Sequence, residues 1–540
     1  MDLRDREQWS FVGGAWQESD EGIIEPPGKM LADDQLGFFL GKMYSDVEAE
    51  FEFRWNTSHC GAGLVVRAQD TSHYYLVHFP NCGQYTRGKN FAAAVSKSDG
   101  AGWLEILKMD LVHGVPSEQR MWHKVRVIVE GNQIRLWVDG RPFPVVCDDD
   151  YEEGYVGLES WTWGTVTKAK RMTWGDGTVS EVGPGSSFRN LKVRGKDVPA
   201  KPWDETLLPP KPWFHPYPVG DGQQSTSGIV RAPSGELLMA LSWGGIAGVP
   251  STPDAVQREL VRSTDNGRSW APVEAEGWPG GWLHATRDGR LIAIIVRDNH
   301  ILLAGSEDNG NAWSKLEDRA EIAVPEGVKG LGCSMGPPVE LEDGTLVMFL
   351  LSGHESTSGK DIREWGSVHL VAYSMRSTDG GQTWEGPTTL DGPPGVGVNL
   401  DLTEASGALT PDGRILCLTR PVYSPWMWET WSEDGGASWG PTTRGSFPSY
   451  NCAMLPHPTA SGALMIGGRM PGLGLHVSHD NGMTWTHYQA GTDIWAGQRM
   501  YEVEPDVVLW VYMDSYGTDA RAQFIRITPD GAEPAREMLP

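Results

Sequence analysis

A short motif recurs five times in the second half of the chain and constrains its fold more than any other feature. It reads Ser-x-Asp-x-Gly-x-(Ser/Thr/Ala)-Trp, and five copies make a chance origin negligible. The Asp side chain can accept hydrogen bonds from turn N–H groups, the Gly supplies a positive φ, and the Trp is a large apolar plug. The copies occupy residues 263–270, 306–313, 377–384, 432–439 and 478–485.

The spacing of the motifs predicts a series of small antiparallel sheets. Successive motif aspartates are 43, 71, 55 and 46 residues apart, which suits four-stranded sheets with variable loops. Between the motifs, an apolar strand, a Gly-containing turn and a second apolar strand recur. These turns are Pro233–Gly235, Arg287–Gly289, Glu342–Gly344, Pro411–Gly413 and Ala460–Gly462, with a degenerate sixth copy at Glu504–Asp506. Six inner hairpins predict six sheets, and a strand from between Lys211 and Thr226 is expected to close the sixth.

The motif resembles the Asp box of the sialidase superfamily. The resemblance implies a six-bladed β-propeller, here assigned to residues 213–540. It also implies that the Asp boxes lie on one face of the propeller. Ligands would bind at the mouth of the central channel on the opposite face, where the innermost strands begin.

Residues 1–195 are predicted to form a second all-β domain. Val47, Ala49, Phe51, Phe53 and Trp55 alternate with polar residues, as in a half-buried strand. Later strands resemble those of concanavalin-like jelly-roll domains of carbohydrate-active proteins; they include Gly63–Arg67, Trp122–Glu130, the turn at Asp139-Gly140 and Phe188–Val193. The expected fold is therefore all-β, an N-terminal concanavalin-like β-sandwich joined by a Pro-rich linker (196–212) to the propeller. The N-terminal domain is either glycan-binding or a spacer, because this fold has many roles.

Composition excludes several classes of partner. The formal net charge of −26 argues against nucleic acid and anionic membrane surfaces, which bind basic proteins. No run of 18 apolar residues is present, so membrane insertion is not expected. No CxxC pair or EF-hand spacing occurs, and no metal or cofactor is expected. The charged N-terminus is unlike a signal peptide, so we expect a cytoplasmic protein, or a secreted one whose leader has been removed.

The resemblance to sialidases also suggests catalytic residues. In that family a Tyr nucleophile is paired with a Glu, and an Asp serves as the acid. Glu404 and Tyr501 match the positions of the Glu and the Tyr, while Asp254 is the first candidate for the acid and Asp401 the second. The first blade departs from the family, because it lacks the Arg-Ile-Pro opening before its inner hairpin and Arg231 lies too close to the turn at Gly235.

A further set of side chains is predicted to bind substrate at the channel mouth. They begin innermost strands or end second strands, and several are arginines, which bind carboxylates through two hydrogen bonds. The set is Arg297, Arg420, Arg469, Arg499, His284, His354, Asp401 and Asn451. Each arginine could instead tie neighbouring blades together.

Three functions remain open from the sequence. The first is a glycoside hydrolase acting on an acidic glycan, with Tyr501 activated by Glu404 and the leaving oxygen protonated by Asp254. The second is a polysaccharide lyase on a uronic-acid glycan, with arginines neutralising the carboxylate and His or Tyr removing a proton. The third is a glycan-binding propeller without catalysis.

Overall fold

The computed structural model assigns β-strand to nearly all regular structure in the part of the chain that it describes. Its only other regular elements there are two 3-10 turns, Arg6–Gln8 and Arg536–Met538. The same residues contain no helix long and apolar enough to cross a membrane. The described residues are 3, 5–27, 35–56, 60–81, 91–118, 120–162, 171–173, 179–181, 184–208, 211–216, 224–243, 258–325, 328–333, 336–354, 369–390, 402–421, 426–449, 453–469, 472–491, 498–513 and 520–540.

Two compact units divide the chain. The first comprises Met1–Lys211 with Arg469–Leu475 and His487–Ile494, and the second comprises Pro212–Gly468, His476–Thr486 and Trp495–Pro540. The strands of Met1–Lys211 are Trp9–Val12, Gln17–Glu18, Ile24–Glu25, Gln35–Trp55, Cys60–Ala68, His73–Asn81, Phe91–Asp99, Leu104–Val112, His123–Glu130, Gln133–Val138, Arg141–Pro142, Val146–Cys147, Gly154–Thr162, Arg171–Thr173, Val179–Glu181 and Ser186–Val198.

One long strand organises the first unit as a sandwich. The early part of Gln35–Trp55 pairs with Gly154–Thr162, and its later part pairs with His123–Glu130 and Ser186–Val198. Alternate side chains of the later part enter an aromatic core in which the rings of Phe53 and Phe79 stack at 4.8 Å. The alternation predicted from Val47 to Trp55 is confirmed, and the unit has the all-β, jelly-roll-like class expected from the sequence.

The strands from Trp213 onward are arranged as a β-propeller. Five of its sheets are separate antiparallel sheets, and the segment from Ala453 to Gly491 contributes the strands of a further blade. In blade order the strands are: one, Gln224–Arg231, Leu237–Trp243, Arg258–Ser263 and Ala271–Pro272; two, Trp282–Ala285, Leu291–Arg297, His300–Ser306 and Glu317–Glu321; three, Val328–Cys333, Val339–Glu340, Leu346–His354, His369–Ser377 and Glu385–Thr389; four, Leu402–Leu409, Ile415–Pro421, Trp426–Ser432 and Thr443–Pro448; five, Ala453–Met454, Leu464–Gly468, Leu473–Ser478 and Thr486–Gly491; six, Arg499–Glu504, Val507–Met513, Ala520–Thr528, Gly531–Pro534 and Trp213–Phe214.

The ring closes as the sequence predicted. Trp213 and Phe214 pair with Gln523 and Ala522, so a strand that precedes blade one completes blade six. The innermost strand of blade six also packs against that of blade one. Closure of this kind leaves no unpaired sheet at the joint of the ring.

The Asp boxes are built as expected. In the third box, Asp379 accepts hydrogen bonds from Ser377 Oγ, Gln382 N and Thr383 N at 2.8–2.9 Å, and Gly381 has a φ of +90°. Each box tryptophan packs into an apolar cluster shared by two neighbouring blades; these are Trp270, Trp313, Trp384, Trp439 and Trp485. The prediction that they are plugs between blades is confirmed.

Inner hairpins and Asp boxes lie at the same end of the propeller. Arg231, the last residue of its strand, donates to Gly235 O in the hairpin at 2.7 Å and to Asn266 Oδ1 in the first box at 3.2 Å. Ser234 N donates to Asn309 Oδ1 in the second box at 3.0 Å. We call this the box end, and the opposite end, where the innermost strands begin, the strand-start end.

The Asp boxes should make stability depend on pH. Burial opposes the shift, but hydrogen bonds from Thr383 and Ser377 lower the pKa of Asp379, and the pKa values of the other four box aspartates are lowered as well. A lowered folded-state pKa stabilises the fold above the unfolded value, about 4, and that stability is lost as the pH falls. The free energy of unfolding, measured by urea titration from pH 7 to pH 3, should therefore decrease below about pH 4.

Asp379→Ala tests the origin of this dependence. The variant should lose about 1 kcal/mol of stability at pH 7, as when a side-chain cap is removed, and its stability should fall less steeply in acid. Glu385→Ala is the control, because Glu385 lies in the same blade and is largely exposed. An unchanged acid slope in Asp379→Ala would show that the boxes do not carry the effect.

Candidate functional site

A cavity of about 310 Å³ lies in the propeller between the innermost strands. Blades one, two, three, five and six contribute its walls. Its polar lining includes His284, Arg287, Glu340, His457, Arg499 and Tyr501. The structure thus brings three of the predicted site residues, His284, Arg499 and Tyr501, to one cavity.

A buried imidazole–carboxylate pair lies on the wall of this cavity. His284 Nε2 is 3.1 Å from Glu340 Oε2, and both carboxylate oxygens of Glu340 share a bifurcated hydrogen bond from Arg287 N at 2.9 and 3.0 Å. Burial opposes the shift, yet the bonds from His284 and Arg287 lower the pKa of Glu340. Because Thr286 begins the hairpin turn, the pair lies toward the box end and not at the strand-start end expected for His284.

Sequence reasoning missed Glu340, although a signal for it existed. In the residue registers of the blades, Glu340 takes the hairpin position that Ala285 and Leu409 take in blades two and four. A carboxylate in place of a small or apolar residue is a departure from the repeat. Such departures mark positions where a blade has a role beyond packing.

A second histidine lies beside the pair. Burial, together with the nearby His284 and Arg287, lowers the pKa of His457 to about 4. His457 is therefore neutral at pH 7. It can offer one donor and one acceptor to a bound molecule but no charge.

Glu340 should be essential for the stability of blades two and three. Glu340→Ala removes the acceptor of His284 and of Arg287 N in a buried setting, and we expect a loss of about 3 kcal/mol. Glu342→Ala is the matched control, because Glu342 is an exposed residue of the same hairpin and should change stability by less than about 0.5 kcal/mol. Urea unfolding of the two variants compares them directly, and equal losses would contradict the assignment.

Tyr501 turns toward the box end. Burial raises the pKa of its phenol, and the nearby positive charge of Arg231 opposes that rise. Arg231 is the last residue of its strand, so the phenol reaches toward the hairpin of blade one. The phenol is consequently protonated at neutral pH.

The Arg499 side chain extends from blade six to blade two. Its guanidinium lies 4.4 Å from the centre of the Trp282 ring in blade two, and it is only 6% exposed. It also donates a hydrogen bond to the carbonyl of Gln498. Burial lowers the pKa of Arg499 to about 9, which still leaves it charged at neutral pH.

The predicted residues of blade four form a separate arrangement at the strand-start end. Glu404 Oε2 lies 2.8 Å from Arg420 Nη1, and Arg420 is completely buried. Glu404 has a φ of +49° and follows Thr403 at a bulge where the pairing register with Ile415–Pro421 shifts. Glu404 and Tyr501 thus lie near different arginines, Arg420 and Arg231.

The other predicted residues are dispersed. Arg297 is exposed beside the two-residue turn Asp298-Asn299, and Arg469 is buried directly after the strand Leu464–Gly468. His354 ends its strand in register with Val328 and His369, and its side chain is outside the described part. Three predicted residues lie outside the described residues altogether: Asp254, Asp401 and Asn451.

Comparison with known families agrees with this architecture. Residues 278–498 match the family described as a BNR repeat-like domain. The propeller is a BNR-repeat domain. Residues 2–194 match a second family, described as a 3-keto-alpha-glucoside-1,2-lyase-like domain. No curated protein shows significant similarity to the chain that carries this BNR-repeat propeller.

The solved structures to which this chain is similar are distant in sequence. The Hadza microbial sialidase Hz136 is 14% identical, with 93% of this chain and 99% of that chain covered and a TM-score of 0.43. An alpha-L-arabinanase from Penicillium chrysogenum is 15% identical, covering 57% of this chain and 97% of its own, with a TM-score of 0.41. A carbohydrate-binding module from Bacillus subtilis is 16% identical, covering 35% and 96%, with a TM-score of 0.25.

Proposed function

We propose that the chain is a carbohydrate-active enzyme, a glycoside hydrolase whose BNR-repeat propeller holds the reacting groups. The observation that carries the proposal is the conformation of Glu404. A non-glycine residue with positive φ costs free energy and persists only where the surrounding structure holds it. Here the carboxylate is held by a fully buried arginine, Arg420, and such strained residues cluster at active sites.

The chemistry of this pair suits glycoside hydrolysis. A carboxylate beside the anomeric carbon can act as base or nucleophile, provided that its position is fixed. Arg420 orients it through the 2.8 Å ion pair, because a buried guanidinium has few alternative positions. The same two residues match the Glu and an Arg of the sialidase-like pattern in the sequence. The acid of this mechanism is assigned to Asp254, which lies outside the described residues.

Elimination is the second candidate function. It is favoured by the match of residues 2–194 to a family described as 3-keto-alpha-glucoside-1,2-lyase-like. A lyase removes a proton from a carbon, the C–O bond on the neighbouring carbon breaks with its oxygen as the leaving group, and a carbon–carbon double bond forms between the two carbons. Its product absorbs ultraviolet light when the double bond is conjugated, whereas hydrolysis yields only new reducing ends.

A glycan screen tests the proposal. The full-length chain is incubated with sialylated, uronic-acid and neutral glycans, and both reducing ends and ultraviolet absorbance are recorded. We expect new reducing ends without absorbance on at least one class. Absorbance on a uronic-acid glycan would replace hydrolysis by elimination, and no product on any class would contradict an enzymatic role on these substrates.

A further inference from the structure

Three inner hairpins bring basic side chains around one carboxylate at the box end of the channel. Glu340 of blade three is held by two groups of blade two, the His284 ring at 3.1 Å and the Arg287 backbone N–H at 2.9 Å. His457 of blade five lines the same cavity and interacts electrostatically with His284, Arg287 and Glu340. These four residues, which we call the hairpin cluster, connect blades two, three and five.

The backbone around His457 leaves its ring little freedom to move away from the cluster. Pro456 and Pro458 flank it, and Pro456 O accepts a hydrogen bond from Leu409 N of blade four at 2.9 Å. Proline restricts the backbone of its own residue and of the residue before it. The Nδ1 atom of His457 is shielded from solvent and has no hydrogen-bond partner among the described residues. A proton on Nδ1 therefore has no acceptor in that part of the chain.

A proton on His457 would unbalance the charge of the hairpin cluster. The cluster contains one carboxylate, that of Glu340, against three basic side chains, and Arg287 is always positively charged. Burial, together with the nearby His284 and Arg287, lowers the pKa of His457 to about 4, so its ring is neutral at pH 7. Proton uptake would therefore place a further positive charge beside Arg287 and His284.

The other ionisable groups of the cavity do not offset that charge. Arg499 is itself a cation at neutral pH, and the phenol of Tyr501 is uncharged. Glu502 is a carboxylate, but its Oε1 accepts hydrogen bonds from backbone N–H groups in the hairpins of blades five and six at 2.8 and 2.7 Å. A protonated His457 thus leaves the cluster with excess positive charge in a partly enclosed cavity, where like charges repel more strongly than in water.

We propose that the hairpin cluster is an acid-sensitive latch, which holds the inner hairpins of blades two, three and five together at neutral pH and releases them when His457 takes up a proton. A histidine with a lowered folded-state pKa stabilises the fold above its unfolded value, about 6.5, and that stability is lost as the pH falls toward about 4. This window lies above that of the Asp boxes. The latch does not depend on hydrolytic activity, because Glu404 does not line the cavity.

Amide hydrogen exchange of the full-length protein tests the latch. Exchange is followed by mass spectrometry between about pH 7 and about pH 4.5 and corrected for the intrinsic effect of pH on exchange rates. Two amides report on the hairpins, Arg287 N, which bonds to Glu340, and Leu409 N, which bonds to Pro456. Peptides that contain them should lose protection at least about tenfold as the pH falls, whereas the peptide of the third Asp box, residues 377–384, should keep its protection.

His457→Gln should abolish this response, because glutamine is polar but does not titrate. Its hairpin peptides should exchange at about pH 4.5 within about twofold of their corrected rate at pH 7. His300→Gln is the matched control, because His300 of blade two pairs with Asp318 at 2.8 Å, is more than one-third exposed and does not line the cavity. It should respond to pH as the parent protein does. If His457→Gln does not fold, His457→Asn replaces it.

The local readout separates the latch from other buried histidines. Burial lowers the pKa of His78 to about 3 and that of His487 to about 4, and both belong to the first unit. Their effect on stability in acid should persist in His457→Gln, whereas the loss of protection at the hairpins should not. Unchanged protection of the parent hairpins in acid, an equal loss in His457→Gln, or a response abolished by His300→Gln would overturn the proposal.

Discussion

Replacing Glu404 by glutamine is expected to lower kcat/KM on the glycan substrate by about 10²–10⁴-fold, the contribution typical of a positioned acid–base group. Glutamine has nearly the size of glutamate, and its carbonyl oxygen can take the place of the native carboxylate oxygen that lies 2.8 Å from Arg420. The substitution therefore removes the charge and the proton acceptor while the side chain stays in place. Initial rates on the glycan identified by the screen measure the effect.

The control for this variant is Glu433→Gln. Glu433 lies in the Asp box of the same blade, is exposed, and is at the box end rather than at the strand-start end. Its substitution should leave kcat/KM unchanged within about twofold. Full activity in Glu404→Gln, with an unchanged melting temperature, would remove Glu404 from the mechanism and leave its backbone conformation as a structural feature only.

The local parts of the fold could be read from the sequence. An Asp box specifies its own turn, because its Ser, Asp and Gly interact within a few residues, as Ser377 and Asp379 do. The strand that closes the ring was predictable because the sequence contains six inner hairpins but only five Asp boxes. The Glu404–Arg420 pair is also local in this sense. Thr403, which precedes Glu404, is paired with Arg420 on the neighbouring strand of one hairpin.

Side-chain contacts between blades could not be predicted from the sequence. The stack of Arg499 on Trp282 spans two blades that are not neighbours, and it depends on how far a side chain reaches across the channel. Tyr501 matched a sequence position, but its phenol turns to Arg231 in another blade. His284 was placed at the wrong end of its strand, because the strand Trp282–Ala285 is only four residues long and the hairpin follows at once. The sequence predicts the blade to which a residue belongs, whereas the side chain that it contacts depends on the geometry of the channel.

Arg420→Met should be among the most destabilising single substitutions in the propeller. The guanidinium is completely buried, and its removal deletes the ion pair with the Glu404 carboxylate, which is itself only about one-fifth exposed. Breaking a buried ion pair by removing one member typically costs about 3–5 kcal/mol. Because Glu404 keeps some contact with water, we expect about 3 kcal/mol, measured as a shift of the urea midpoint at constant slope. Catalytic activity should fall as well, since the carboxylate loses the group that orients it.

A double-mutant cycle separates the ion pair from the other contacts of Arg420. If the pair is coupled, Arg420→Met combined with Glu404→Gln should lose less stability than the sum of the single losses, by at least about 1 kcal/mol. Arg414→Met is the matched control, because Arg414 pairs with Asp412 at 2.7 Å in the same blade but at the surface, where such pairs contribute at most about 1 kcal/mol. Additive losses in the cycle would mean that Arg420 stabilises blade four through its other contacts. In that case the positive φ of Glu404 would no longer be explained by a bond to Arg420, and the case for a preorganised catalytic carboxylate would fail with it.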